Sequence, residues 1–282
     1  MRPTYEEVVN HKRLSAGERA KEYAKLKAWD SPTINRSWIG NAILYHYQMD
    51  VLCRTSREGH KSLWEKMATP VLYDRLWQVV EKMGRTGTIA NRVFEANRLN
   101  GCVAFFKPTT AKWLYKKYGA TKVLDPTAGW GGRMLGAWAL GIEYTGIDTN
   151  MLLKPGYDDM MAEMGDPRLR MIWQSCLEVD FSAIDYDFVL TSPPYINLEQ
   201  YAHMPAFESK AAFYREFLIP LISRCLAHIR PGGRVCINIS PKMYDELIDA
   251  GFMPCHEDVP FVQQKKLGRD MGDRVYIWRR PE

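Results

Sequence analysis

The chain lacks the features that would place it in a membrane, outside the cell or around a metal. No apolar run approaches the roughly 18 residues that a membrane span requires. The opening residues, Met1-Arg2-Pro3-Thr4-Tyr5-Glu6-Glu7, carry no apolar signal core. Cysteine is sparse: Cys53, Cys102, Cys176, Cys225, Cys236 and Cys255 form no C-x-x-C pair and have no histidine at metal-ligand spacing. Buried, reduced thiols in a cytoplasmic protein are expected, not disulfides or a zinc site. His203, His228 and His256 lack metal partners and read as ordinary surface or core residues. Internal repeats and low-complexity runs are absent.

What is present is globular. Hydrophobic residues make up 46% and charged residues 25% of 282 positions, enough for one large domain or a domain with an appendage. The net charge of +5 is unevenly placed. Residues 1–100 hold 17 Lys/Arg against 11 Asp/Glu, a surplus of 6, and residues 101–282 hold 21 against 22. Such a surplus suits either a polyanionic partner or a solvated helical surface.

Residues 1–100 read as helical. Glu18 to Ala28 forms one helix, ending before the Asp30-Ser31-Pro32 turn. A second, capped by Asn35 or Ser37, carries Ile39, Ile43, Leu44, Tyr47 and Val51 at helical spacing. A third spans Ser62 to Met83, kinked or split at Pro70, before a break at Gly84-Arg85-Thr86-Gly87.

Residues 101–282 alternate strand and helix. Strands are expected at Lys122–Asp125, Tyr144–Asp148, Leu169–Trp173, Phe188–Thr191 and Val235–Ile239. Helices are expected from Arg133 to Leu140, up to Met164, from Ala211 to Ile229 and from Lys242 to Ala250. Pro260-Phe261-Val262 and Arg274–Trp278 can close the sheet as an antiparallel hairpin. This is an α/β pattern: a mostly parallel sheet with helices on both faces.

Two strings at strand ends carry the chemistry. In Asp125-Pro126-Thr127-Ala128-Gly129-Trp130-Gly131-Gly132 the glycines allow a tight turn and close ligand approach, and the next helix offers free N–H groups. Asp148, ending the following strand, can accept both hydroxyls of a ribose. No lysine follows the glycines, which disfavours a phosphate-cradling loop and favours a nucleoside without pyrophosphate. In the second string, Thr191-Ser192-Pro193-Pro194-Tyr195, consecutive prolines fix the backbone and leave its carbonyls as acceptors. The Ser192 side chain and the Pro193 carbonyl can hold both protons of a planar amine while Tyr195 stacks on its ring.

These strings resemble those of class I S-adenosylmethionine-dependent methyltransferases, with a Rossmann-like fold. More narrowly, they resemble the D-P-x-A-G-x-G and [DNS]-P-P-[YF] elements of amino-methyltransferases acting on DNA bases. The resemblance covers residues 103–240. It implies that Asp125, Pro126, Ala128, Gly129 and Gly131 line the methionine end of S-adenosylmethionine and that Asp148 holds the ribose; Thr191 borders the same site. Phe105-Phe106-Lys107-Pro108-Thr109 resembles the F-x-P element that helps enclose the methionine moiety, which adds Phe106, Lys107, Pro108 and Thr109. The family often places an acid after the third strand for the adenine amine, where this chain has Gln174-Ser175-Cys176; Ser175 or a nearby backbone N–H is left for that role. Ser192, Pro193, Pro194 and Tyr195 would form the catalytic element, with no metal and no covalent enzyme intermediate.

The resemblance implies methylation of cytosine N4 or adenine N6 in DNA on a flipped base. RNA or a protein glutamine as acceptor, or a binding protein that has lost activity, are the alternatives. Only 15 residues separate Tyr195 from Ala211, too few for a DNA-reading domain. Sequence reading, if any, then falls to residues 1–100 or to a partner, with phosphate contacts dominating and affinity falling with salt. Asn197, Glu199, Gln200 and Tyr201 lie on the loop leaving the pocket and read as loop structure, with contact to the target as the alternative. Two units are expected, a basic helical region at 1–100 and a methyltransferase domain at 101–282.

Overall fold

A computed structural model describes residues 1–56, 59–84, 86–99, 103–194, 207–261 and 272–282. Six helices come first: α1 Tyr5–Asn10, α2 Ala16–Ala28, α3 Asn41–Arg54, α4 Leu63–Ala68, α5 Pro70–Lys82 and α6 Ile89–Arg98. Three of them begin with reciprocal caps, Thr4 with Glu7, Ser15 with Glu18 and Ser62 with Glu65, each satisfying two otherwise free N–H groups. Pro70 splits the expected Ser62–Met83 helix and takes the first position of α5, where its missing N–H costs nothing. Neither Asn35 nor Ser37 caps α3. Asn35 Oδ1 accepts from the Ser37 N–H at 2.9 Å and Ser37 Oγ from the Ile39 N–H at 3.3 Å, so both close turns and the helix starts later, behind Gly40.

The remaining elements are α7 Pro108–Tyr118, β1 Lys122–Asp125, α8 Gly132–Leu140, β2 Glu143–Asp148, α9 Lys154–Met164, β3 Leu169–Trp173 and β4 Phe188–Thr191. Then follow α10 Lys210–Phe213, α11 Ile219–His228, β5 Arg234–Ile239, α12 Pro241–Asp249, β6 Glu257–Pro260 and β7 Arg274–Arg279. A π-helical turn, Tyr214–Leu218, joins α10 to α11, so the long expected helix is continuous but locally underwound. The expected strand at 260–262 lies earlier, at Glu257–Pro260, and Val262 falls outside the described residues.

Among the described residues, seven strands run in the order β3-β2-β1-β4-β5-β7-β6. All neighbours from β3 to β5 pair parallel; β7 pairs antiparallel with both β5 and β6. This is the Rossmann-like α/β sheet with a terminal antiparallel pair that the sequence led us to expect. Strand side chains alternate between two cores. Val123, Phe188, Leu190, Cys236, Val275 and Ile277 face one; Leu124, Val189, Val235, Ile237, Tyr276 and Trp278 face the other. The first core also takes Val8, Leu26, Leu44, Leu52 and Phe94, so the amino-terminal helices build directly on the face covered by α7 and α8. Cys53, Cys176, Cys225 and Cys236 are buried free thiols, Cys255 is half-buried, and Cys102 lies outside the described residues. Among the described residues no helix is long and apolar enough to cross a membrane.

Candidate functional site

The strand order reverses between β1 and β4, and loops leaving the carboxyl ends of two such strands diverge and open a crevice. The first string and the second as far as Pro194 lie there and are tied together. The Thr127 N–H donates to Thr191 Oγ1 at 3.2 Å, the two threonine hydroxyls are 2.5 Å apart, and Thr127 Oγ1 donates to the Ser192 carbonyl at 3.2 Å. Thr191 Oγ1 in turn donates to Asp125 Oδ1 at 3.0 Å.

Asp125 is the buried hub of this knot. Its Oδ2 accepts from Arg133 Nε and from the Tyr144 hydroxyl, each at 2.7 Å. Arg133 also donates to the Thr127 carbonyl, and its guanidinium lies 5.0 Å from the centre of the Phe106 ring. Burial works against the Arg133 charge, but the Asp125 carboxylate outweighs it and holds the guanidinium pKa above its ordinary value. The Asp125 side chain is 0% exposed. It therefore fastens the glycine loop to α8, β2 and β4 and presents no oxygen to the crevice. Arg133, Tyr144 and Thr127, none of them singled out in the sequence as site residues, complete this network.

The loop is held from outside as well. The Tyr157 hydroxyl donates to the Gly129 carbonyl at 2.9 Å, and the Ala128 N–H donates to the Ile147 carbonyl at 2.9 Å. The Phe106 carbonyl packs so tightly on α8 that a Cβ at Gly132 would lie 1.8 Å from its oxygen. Gly129 is different: with φ at 57°, an added Cβ there would lie 3.9 Å from the Thr127 carbonyl oxygen and 4.0 Å from Arg133 Nη2, ordinary van der Waals contact that leaves room for a methyl group. Asp148 stands at the rim, where Oδ2 accepts from the Gly129 N–H at 2.7 Å and Oδ1 from the Asn150 N–H at 2.8 Å. Burial raises its pKa, against those two donors, which lower it. Each carboxylate oxygen keeps a lone pair for a further donor.

Beside Asp148, β3 pairs Trp173 with it and leads to Ser175, whose Oγ accepts from the Leu177 N–H at 3.3 Å. Burial pushes the neighbouring Cys176 thiol up to about 12, and the Asp148 charge adds to the effect. On the opposite side Phe106, Lys107, Pro108 and Thr109 are all buried, with Lys107 preceding the first turn of α7. Phe105 packs on Trp130 at 5.4 Å and Phe106 on Phe261 at 4.9 Å between ring centres. The Lys107 ammonium lies 4.8 Å from the Trp38 ring centre, and burial together with Arg36 pushes its pKa down to about 8.

Ser192 has a fixed orientation. Its Oγ is 3.3 Å from Asn238 Oδ1 and 3.4 Å from the Asn238 carbonyl, both acceptors, so the hydroxyl proton is directed there. Asn238, 2% exposed on β5, is itself set by Nδ2 donating to the Arg274 carbonyl at 3.1 Å. With its proton committed, Ser192 can offer only lone pairs to a ligand. Asn238 had a signal in the sequence, a lone polar residue inside the apolar run Val235–Ile239. Pro193 is buried and Pro194 half-buried. Tyr195, with Asn197, Glu199, Gln200, Tyr201 and His203, lies outside the described residues.

No family model and no curated protein matches the chain. Its fold resembles several solved structures at low identity. An rRNA methylase from Streptococcus thermophilus is 10% identical, over 64% of this chain and 100% of that one, with a TM-score of 0.42. An RNA methyltransferase from Salinibacter ruber, in complex with S-adenosyl-L-homocysteine, is 18% identical over 64% and 95%, with a TM-score of 0.43. A precorrin-6y C5,15-methyltransferase from Geobacter metallireducens is 12% identical over 62% and 87%, with a TM-score of 0.41. Likenesses this distant do not bear on the reaction, which has to be read from the site.

Proposed function

We propose that this protein is an S-adenosylmethionine-dependent methyltransferase acting on the exocyclic amine of a DNA base, cytosine N4 or adenine N6. The observation that carries the reading is Ser192: half-buried at the switch point of the sheet, its hydroxyl proton turned onto Asn238 and its lone pairs left for a donor. A planar amine is such a donor, and its nitrogen becomes nucleophilic only when its protons are drawn aside from the ring plane. An alcohol acceptor would instead need a base, which Ser192 so oriented does not provide. The cradle fits a nucleoside: a glycine turn with no tight neighbour at Gly129 and a rim carboxylate with two unused lone pairs.

S-adenosylmethionine would be held by Asp148 at the ribose and by the Gly129–Gly131 turn, and when bound it supplies a methyl group activated on a sulfonium. The chain's own part is positional. The Asp125–Arg133 network fixes the loop, Thr127 fixes the loop against Ser192, and Asn238 fixes the Ser192 acceptor; orientation of this kind lowers a barrier without acid or base chemistry. Tyr195 follows two fixed prolines and would stack on the base.

Nucleoside analysis tests the assignment. Plasmid DNA incubated with the full chain and S-adenosylmethionine, then digested, should contain N4-methylcytosine or N6-methyladenine. Ser192→Ala should cut the rate by about 10²–10³-fold with binding of S-adenosylhomocysteine unchanged. Methyl groups found only in RNA or on protein glutamine would overturn the DNA assignment, and a fully active Ser192→Ala variant would overturn the site.

A pH series gives a second check. Asp148 must be ionised to accept ribose hydroxyls, and burial raises its pKa. Affinity for S-adenosylhomocysteine should therefore fall on acidification from a higher pH than the ordinary aspartate value of about 3.9 would give. Asp148→Asn should bind more weakly at neutral pH and lose that acid limb. Calorimetry showing the same limb in the variant would remove Asp148 from the cradle.

A further inference from the structure

α3 carries an unexplained buried amide. Asn41, the first residue of that helix, is 3% exposed, and neither its Nδ2 nor its Oδ1 has a hydrogen-bond partner. Burying both halves of a carboxamide unpaired is costly, and the cost is recovered only when something binds them. Gln48, on the same side of α3, is anchored by Nε2 donating to the Leu153 carbonyl at 3.2 Å; Asn41 has no such anchor.

The location of Asn41 narrows what could bind. Residues 41, 44 and 48 share one stripe of the helix. On that stripe Leu44 reaches the glycine turn, 3.6 Å from where a Cβ of Gly131 would be and 3.5 Å from that of Gly132. One residue before Asn41, Gly40 abuts Pro108, its would-be Cβ 3.0 Å from the Pro108 ring. Asn41 thus sits where α3 passes between the start of α7 and the glycine turn. The start of α3 carries the positive end of the helix dipole, with the Asn41 N–H donating to the Trp38 carbonyl at 3.0 Å and the Ile43 N–H to the Gly40 carbonyl at 3.2 Å. Arg36 and Lys107, close enough to oppose each other's charge, add to the positive potential on this side.

We propose that Asn41 binds the α-amino-acid end of the cofactor, Nδ2 donating to its carboxylate and Oδ1 accepting from its ammonium. This rests on the cofactor reading above and extends it to a residue of the amino-terminal helices. A zwitterion uses both halves of the amide, whereas a simple anion would leave Oδ1 unpaired. The amino-terminal region then completes the cofactor cradle itself, as well as carrying the positive surplus.

Calorimetry on the full chain with two ligands tests the proposal: S-adenosylhomocysteine, and 5′-methylthioadenosine, which keeps the nucleoside but lacks the amino-acid end. Asn41→Leu should weaken S-adenosylhomocysteine by about 10–100-fold and leave 5′-methylthioadenosine within about twofold, since only the former reaches the amide. Its Tm should hold or rise, because leucine removes an unsatisfied polar group; Asn41→Ala serves if leucine does not fit. Equal losses for both ligands, or none for either, would overturn the proposal and leave the amide to ordered water. If the wild-type chain binds 5′-methylthioadenosine but not S-adenosylhomocysteine any better, Asn41 fails while the nucleoside cradle stands. If it binds neither, the cofactor reading itself fails, and this inference with it.

Discussion

Asp125→Ala is expected to cost about 3–5 kcal/mol of folding stability and to lower Tm by about 6–20 °C. The loss comes from the partners left behind. Arg133 keeps its charge with its side chain 4% exposed, and the Tyr144 and Thr191 hydroxyls lose their acceptor in the same stroke. An uncompensated buried guanidinium is the largest part, because water cannot reach it to replace the carboxylate. Asp125→Asn should recover little, since it keeps the shape and removes the charge that Arg133 needs. Asp125→Leu combined with Arg133→Met should be closer to wild type than either single change, because it removes both charges together. Urea denaturation of the wild type, Asp125→Leu, Arg133→Met and the double variant measures the coupling. A single Asp125→Ala variant with wild-type stability that had lost only ligand affinity would show that the carboxylate serves the ligand and not the loop.

That prediction departs from what the sequence implies about Asp125, and the reason is physical. A strand-end aspartate before a glycine turn looks the same whether its carboxylate turns outward or inward. Its direction is decided by Thr191, 66 positions away, and by Arg133 on the following helix, contacts that no local spacing encodes. The parallel strands β1 to β4 were legible because each is a short apolar run bounded by turn residues, and β3 and β4 have the expected limits. Asp148 was legible for the same reason: it ends such a run. α7 was not. Its first residues look like a cofactor-enclosing loop, and its buried lysine contradicts an apolar face. The structure resolves the contradiction, because Lys112 Nζ donates to the carbonyls of Leu26, Lys27 and Trp29 at 2.6–2.9 Å and so closes the end of α2. The short α1 carries a capping signal in Thr4 and Glu7, but six residues are too few to show an apolar period. Asn238 shows the limit most clearly: it is recognisable as an odd residue in a strand, but its role exists only because β5 lies beside β4 and β7.

Gly132→Ala should be the most damaging glycine-to-alanine change among the described residues, with a loss of more than about 4 kcal/mol or failure to fold. The new Cβ would lie 1.8 Å from the Phe106 carbonyl oxygen and 3.0 Å from its carbon, and backbone cannot rotate away as a side-chain tip can. The segment that would have to yield is fixed on both sides. Phe105 packs on Tyr45 and Trp130, Phe106 packs on Phe261 and under Arg133, and α7 starts two residues later. Moving it apart from α8 would open the first core and break the Asp125–Arg133 knot. Gly129→Ala provides the contrast from the same loop. Its φ of 57° costs a non-glycine residue about 1–2 kcal/mol. The space the methyl group enters holds it at van der Waals distance, 3.9 Å from the Thr127 carbonyl oxygen and 4.0 Å from Arg133 Nη2, so the fold survives. If that space is the nucleoside cradle, Gly129→Ala should bind S-adenosylhomocysteine far more weakly than its small stability loss can explain. Thermal denaturation and calorimetry on the two variants should thus separate in opposite directions, with Gly132 governing folding and Gly129 governing ligand. A Gly132→Ala variant that folds normally would show that the Phe106 carbonyl is not held against α8. Unchanged affinity in Gly129→Ala would move the ligand away from this turn.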